Sequence, residues 1–207
     1  MDFIEPPTIC VIEDHDEIRS AIATALEGAG YRVKAYADGG DLLADFDEQR
    51  TDAVVSDLHL PTIDGPMLQR RLIERDSDVA LVFITGDTDV RTAVRLMEAG
   101  AVTILEKPYP PEDLTTAVEK AVARTRHRRQ LRHERTIAHR RYALLTDDEK
   151  AVLKFIVAGL PNKAIALRLD LSMRTVDRRR SAIMTKLNAT SISDLALLLA
   201  KVDPDPA

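Results

Sequence analysis

The sequence predicts a doubly wound α/β domain on a parallel five-stranded sheet, then a long helical linker and a small all-α domain. Three observations carry this reading. Over residues 1–123, short continuous apolar runs alternate with amphipathic helical periods. After residue 144 only helical patterns remain, each with a start or stop signal. The charge also changes sign: residues 1–123 hold 11 Lys and Arg against 25 Asp and Glu, and residues 124–207 hold 18 against 9. Such asymmetry indicates two parts with different partners, the basic one suited to a polyanion.

Strand patterns fall at 8–13, 31–36, 52–56, 79–84 and 102–105. The runs at 8–12, 53–56 and 80–84 do not alternate with polar residues, so they are expected to be buried on both faces, as in a parallel sheet. Helical periods lie near 15–28, 38–48, 65–74 and 88–98, with Gly30 and Gly100 marking exits. A fifth helix opens after Pro110-Pro111 and carries an apolar face through Leu114, Ala117, Val118, Ala121 and Val122. Beyond it the segment 124–143 is arginine-rich and lacks a sustained apolar heptad, so it reads as a solvated or partly frayed helical connector. Thr146 and Glu149 form a capping-box pattern for a helix to about Ala158, ended by Gly159 and Pro161. Shorter helices follow at 162–169, at 173–187 behind Ser172, and at 191–200, before a polar tail expected to be disordered. The boundaries read from this pattern are 1–123, 124–143 and 144–203.

No apolar run reaches the roughly eighteen residues of a membrane span, and no secretory leader pattern opens the chain. The single cysteine, Cys10, sits in an apolar strand and reads as a small buried hydrophobe. No membrane partner is expected, and a reducing cytoplasm fits these features.

In a sheet of this type the site lies beyond the carboxyl ends of the strands. Glu13, Asp14, Asp57, Thr85 and Lys107 all stand at such ends. Asp14 and Asp57 suit direct ligation of Mg²⁺, and Glu13 suits ligation through water. Clustered carboxylates without a cation would repel each other and raise their pKa values. Asp57, ending the central strand, is the expected nucleophile toward phosphorus. Thr85 can donate to a phosphoryl oxygen, Gly86 leaves room for its approach, and Lys107 supplies a point charge beside Pro108. An isolated acid pair, threonine or lysine would be an ordinary surface feature; the combination is what points to chemistry.

These motifs, Val11-Ile12-Glu13-Asp14-His15-Asp16-Glu17-Ile18-Arg19, Asp57-Leu58-His59-Leu60-Pro61, Ile84-Thr85-Gly86-Asp87 and Glu106-Lys107-Pro108, resemble the receiver domain of bacterial two-component response regulators. The resemblance implies a flavodoxin-like fold, magnesium dependence, phosphotransfer from a histidine kinase to Asp57, and slow self-catalysed dephosphorylation. It also implies that the backbone carbonyl of His59 is a metal ligand. One departure stands out: receivers usually carry Tyr or Phe where this chain has Ile104, so the usual aromatic readout of the switch is altered. Tyr109 is a substitute or a packing residue.

The helices at 162–169 and 172–187 fit a helix-turn-helix. On the second, Val176, Ile183 and Leu187 form a core-facing stripe, with Met184 flanking. Arg174, Asp177, Arg178 and Ser181 share another face, suited to the major groove: arginine to guanine, aspartate to the cytosine amino group. Asn162, Lys163, Arg179, Arg180 and Lys186 are candidates for backbone phosphates, and Thr175 completes the candidate contacts to double-stranded DNA. A solvated charged helix is the plainer reading of such a stretch, but the Arg178-Arg179-Arg180 run weighs against it. Residues 144–200 resemble the LuxR-type DNA-binding module, and the whole chain resembles regulators of the FixJ/NarL group. That family often has His where Arg179 stands. The resemblance implies a homodimer on activation, paired through the fourth helix, fifth strand and fifth helix.

Two other functions fit parts of the pattern. A DNA-binding regulator that ignores phosphate is compatible with Ile104. A phosphatase of the haloacid dehalogenase type also uses a strand-end aspartate, but needs a second aspartate two residues on, where this chain has His59. A non-enzymatic regulator is therefore expected.

Overall fold

The structure, a computed structural model, describes residues 5–87 and 89–202. Its strands are β1 (Thr8–Ile12), β2 (Arg32–Tyr36), β3 (Ala53–Asp57), β4 (Ala80–Thr85) and β5 (Thr103–Glu106). They alternate with α1 (Asp16–Gly28), α2 (Gly39–Asp45), α3 (Gly65–Glu74) and α4 (Val90–Glu98), and α5 (Pro111–Ala143) follows β5. All pairings are parallel, in the order β2-β1-β3-β4-β5. Every residue of β1, β3 and β4 is buried, as their unbroken apolar composition requires, whereas the edge strands β2 and β5 are partly open.

Alternation along each strand builds two cores. Ile9, Val11, Val55, Val82 and Ile84 pack with Ile22 and Leu26 of α1 and Leu114, Val118 and Ala121 of α5. Cys10, Ile12, Val54, Leu81 and Phe83 pack on the other face with Leu42, Leu68, Leu72 and Leu96 from α2, α3 and α4. Cys10 is buried, with Thr51 as its polar neighbour. At Gly65 a Cβ would meet Phe83 Cε1 at 2.9 Å and Leu58 Cδ1 at 3.0 Å, so the entry to α3 requires glycine.

Two expectations change. The second helix ends at Asp45 instead of near 48, because Phe46 turns extended (ψ 114°) and Asp47 starts a tight turn. The Asp47 carboxylate accepts from Gln49 N, and its carbonyl accepts from the amides of Arg50 and Thr51. The basic segment after residue 123 is not frayed: α5 is helical through Ala143. Its first basic turns are tied to the sheet. Arg124 donates to the Ala101 carbonyl at 3.3 Å, and the buried Thr125 hydroxyl accepts from Ala80 N at 2.9 Å. Arg129 donates to the carbonyls of Glu48 and Thr51 and to the Asp52 carboxylate. The chain divides into two compact units between Arg129 and Gln130, so contacts place residues 124–129 with the sheet.

The second unit begins with the last turns of α5 and continues through α6 (Asp147–Val157), α7 (Asn162–Arg168), α8 (Met173–Leu187) and α9 (Ile192–Val202). The capping box is formed: Thr146 Oγ1 accepts from Glu149 N, and Glu149 Oε2 accepts from Thr146 N. Ser172 caps α8, and Asn188 ends it in the left-handed region at φ 50°. Val152, Leu153, Ile156, Ile165, Val176, Ile183, Leu187 and Leu195 make one core, joined by Ala138 of α5. The start expected for α4 at residue 88 and the tail from residue 203 lie outside the described residues.

Candidate functional site

Register determines which side chains meet at the carboxyl edge of the sheet. Ile12 pairs with Ser56, so Glu13 and Asp57 follow side by side on adjacent strands. Asp57 pairs with Ile84, and Thr85 pairs with Glu106, which brings Thr85 beside Lys107. The strand order reverses at β1 and β3, so Glu13 and Asp57 flank the crevice of the switch point. Backbone bonds lock this edge: Leu58 N donates to Ile84 O at 2.9 Å, and Lys107 N to Thr85 O at 2.7 Å.

Lys107 Nζ is the hub. It donates to Asp57 Oδ2 at 2.6 Å and to Glu13 Oε2 at 2.8 Å. Burial lowers the lysine pKa, but the hydrogen bonds and charges of Asp57 and Glu13 outweigh it, and the net direction is upward. Glu13 is fully buried and Asp57 is 8% exposed. The second Asp57 oxygen, Oδ1, accepts from His59 N at 2.8 Å. The His59 carbonyl belongs to the loop directly after the aspartate, and its side chain is exposed. The Lys107-Pro108 peptide is cis.

Thr85 is fully buried, and its hydroxyl donates to the Asp87 carbonyl at 2.7 Å. No Cβ conflict arises at Gly86, so the space beside it is open. Ile104 is half-buried against the core that holds Phe83 and Leu96. Tyr109 packs against the opposite core, and burial raises its phenol pKa.

The sequence reading misses His15, whose adjacency to Asp14 is the signal that could have found it. Its Nδ1 lies 2.8 Å from Asp14 Oδ1 and 3.2 Å from Glu13 Oε1. Ligand atoms of Glu13, Asp14 and His15 all lie within 4.8 Å of one another. The Asp14 pKa is lowered, opposite to the rise expected for clustered carboxylates: a desolvation penalty is outweighed by the hydrogen bond and charge of His15. His15 is raised in turn, chiefly by its hydrogen bond to Asp14.

In the second unit, Arg174, Asp177, Arg178 and Ser181 are exposed on α8, while Val176, Ile183 and Leu187 are fully buried beneath them. Lys163 is exposed on α7. Thr175 Oγ1 is bonded to the capping Ser172 hydroxyl. Four other candidates are engaged within the protein. Arg179 pairs with Asp148, and Lys186 pairs with Glu149. Asn162 Nδ2 donates to Asp177 Oδ1 at 2.6 Å, and Arg180 Nη1 donates to Asn162 Oδ1 at 3.1 Å. The readily available cations among the candidates are therefore Arg174, Arg178 and Lys163.

Comparison with known proteins covers both units. Residues 9–119 match the response regulator receiver domain family, and residues 143–199 match the bacterial regulatory proteins of the luxR family. The chain is 34% identical to the transcriptional regulatory protein FixJ of Rhizobium meliloti over 188 residues, covering 91% of this chain and 92% of that one. It is 32% identical to the tetrathionate response regulatory protein TtrR of Salmonella typhimurium, covering 91% and 89%. Among solved structures, response regulator StyR superposes with a TM-score of 0.84 at 32% identity, covering 95% and 99%. Full-length FixJ from B. japonicum gives a TM-score of 0.58 at 32% identity, covering 97% and 98%.

Proposed function

The chain belongs to the response regulators that join a receiver domain to a LuxR-type DNA-binding domain, and on that premise we propose that Asp57 accepts a phosphoryl group from a histidine kinase with Mg²⁺ bound beside it. Such a chain is a phosphorylation-controlled transcriptional regulator and not a conventional enzyme. The observation that carries the proposal is the Glu13–Lys107–Asp57 constellation at the switch point.

The donor set fits a hard divalent cation. Glu13, Asp14 and Asp57 supply hard carboxylate oxygens: Lys107 bridges Glu13 and Asp57, and Asp14 lies with Glu13 and His15 in a group whose ligand atoms fall within 4.8 Å of one another. Glu13, Asp14, Asp57 and the His59 carbonyl would hold the ion. When bound, Mg²⁺ cancels the repulsion between the carboxylate and the incoming phosphoryl oxygens. Asp57 supplies the attacking oxygen, Lys107 pairs with a phosphoryl oxygen after attack, and Thr85 gives up the Asp87 carbonyl to donate to another. Ile104 replaces the customary aromatic, and its half-buried packing supports a readout that passes through Thr85 and α4 rather than a swinging ring.

The exposed face of α4 carries Val90, Val94 and Met97 at helical spacing, with 78%, 48% and 45% exposure. That stripe supports activation by homodimer formation through this face. Arg174, Arg178 and Lys163 would then meet duplex DNA, Arg174 and Arg178 at base edges and Lys163 at phosphates. Among the described residues no helix is long and apolar enough to cross a membrane.

Incubation with acetyl phosphate in magnesium buffer, read by peptide mass spectrometry, tests the acceptor. A single phosphoryl adduct at Asp57 is expected, and none when a chelator is present from the start of the incubation. Absence of the adduct with the metal present overturns the proposal. A phosphate-independent regulator would show equal DNA affinity in Asp57→Ala and labelled wild type, and steady turnover of a phosphatase substrate would favour the dehalogenase-type reading.

A further inference from the structure

We infer that Asp177 is a base-specificity residue that accepts from a cytosine amino group, and that Asn162, held by Arg180, is its positioning residue. The inference deepens the DNA-binding reading and rests on it. It also gives Asn162 and Arg180 a task other than phosphate contact.

The polarity of the three-residue chain is forced. A guanidinium only donates, so the Asn162 atom 3.1 Å from Arg180 Nη1 must be its carbonyl oxygen. The Asn162 amino group therefore faces the other way, where it meets Asp177 Oδ1 at 2.6 Å. An ionised carboxylate only accepts, so both links agree, and the amide cannot flip without losing both. The chain ties α7 to α8 and restrains a short side chain at one oxygen. The second oxygen, Oδ2, has no hydrogen bond to any described residue.

Charge explains why this matters. Asp177 stands on the exposed face between Arg174 and Arg178. A carboxylate entering a groove lined by phosphates is repelled, and it becomes an asset only where it meets a base-edge donor. The cytosine N4 amino group is such a donor in the major groove, and a carboxylate accepts from it. Guanine and thymine offer acceptor atoms at the corresponding edge, so they would face Oδ2 without a proton between. A restrained carboxylate discriminates more sharply than a free one, which could turn away from a mismatched base.

The experiment is selection from a randomised duplex pool with the full-length protein, treated with acetyl phosphate and magnesium or left untreated. Wild type should enrich cytosine at one position per half-site. Asp177→Ala should lose preference at that position alone, by a factor on the order of tenfold. The near-isosteric Asp177→Asn should move the same position toward adenine, which an amide reads. Asn162→Ala should blur that position, and Arg180→Lys, which keeps one donor, should retain it. Circular dichroism of each variant shows whether the helical unit remains folded, and Asp177→Asn decides the matter if Asn162→Ala does not fold. An unchanged preference in Asp177→Ala and Asp177→Asn overturns the inference, and so does an equal loss across all sequences in Asn162→Ala with a shallower salt dependence. Failure of wild type to retain any duplex in either state overturns the DNA-binding reading itself.

Discussion

Lys186 Nζ donates to both carboxylate oxygens of Glu149, at 2.9 Å and 2.7 Å, across 37 residues of sequence. Glu149 is also the third residue of the α6 capping box, so one side chain serves the helix start and the ion pair together. Burial raises its pKa, but the bonds from Lys186 and Thr146 outweigh that, and the net direction is downward. A carboxyl depressed in the folded state stabilises the fold above its unfolded pKa, near 4.5, and loses that contribution as pH falls through the folded value. The C-terminal unit should therefore melt earlier on acidification below about pH 4.5, and Glu149→Gln should flatten this dependence. Thermal unfolding followed by circular dichroism checks both.

The same pairing sets an expectation for DNA. Lys186→Ala should lower stability by about 1 kcal/mol, the scale of a lost cap or pair. It should leave the salt dependence of duplex binding nearly unchanged, whereas Arg178→Ala should lower affinity several-fold. Fluorescence anisotropy across a salt series, run on both variants, distinguishes a lysine occupied by Glu149 from an arginine proposed to meet DNA.

Thr85 and Asp87 supply a third prediction. The Thr85 hydroxyl is engaged by the Asp87 carbonyl, so it must be released to reach a phosphoryl oxygen. Thr85→Ala should still be labelled at Asp57 by acetyl phosphate, because the acceptor, Lys107 and the acidic cluster remain. The rise in DNA affinity on labelling should be lost. Mass spectrometry and a binding isotherm on the same sample decide it; full coupling in the variant would remove Thr85 from the switch.

Arg129 carries a fourth. It joins α5 to the carbonyls of Glu48 and Thr51 and to Asp52, which also accepts from Thr8 N. Arg129→Ala should destabilise the receiver by about 1–3 kcal/mol, leaving carbonyls and a carboxylate without their donor. Denaturant unfolding should show this, and hydrogen exchange should show faster exchange in α5 around residue 129.

These cases mark what the sequence discloses. The apolar runs of β1, β3 and β4, the Thr146 and Ser172 caps and the strand-end residues Glu13, Asp57, Thr85 and Lys107 are local signals, and register brings the strand-end residues together at one edge of the sheet. The Arg129 anchor is not local: its partners lie 77 to 81 residues away, so a run of arginines reads as solvated. Lys186 and Arg179 read as phosphate-contact candidates, and their pairing with Glu149 and Asp148, 37 and 31 residues distant, is likewise not visible locally. His15 differs, since its partner Asp14 is its sequence neighbour, 2.8 Å away.

The most direct test of the central claim is the affinity of the full-length protein for its selected duplex, with and without acetyl phosphate in magnesium buffer, beside Asp57→Ala. The account predicts that acetyl phosphate raises wild-type affinity by tenfold or more, about 1.4 kcal/mol, and leaves Asp57→Ala unchanged. Equal affinity in all four samples would contradict it.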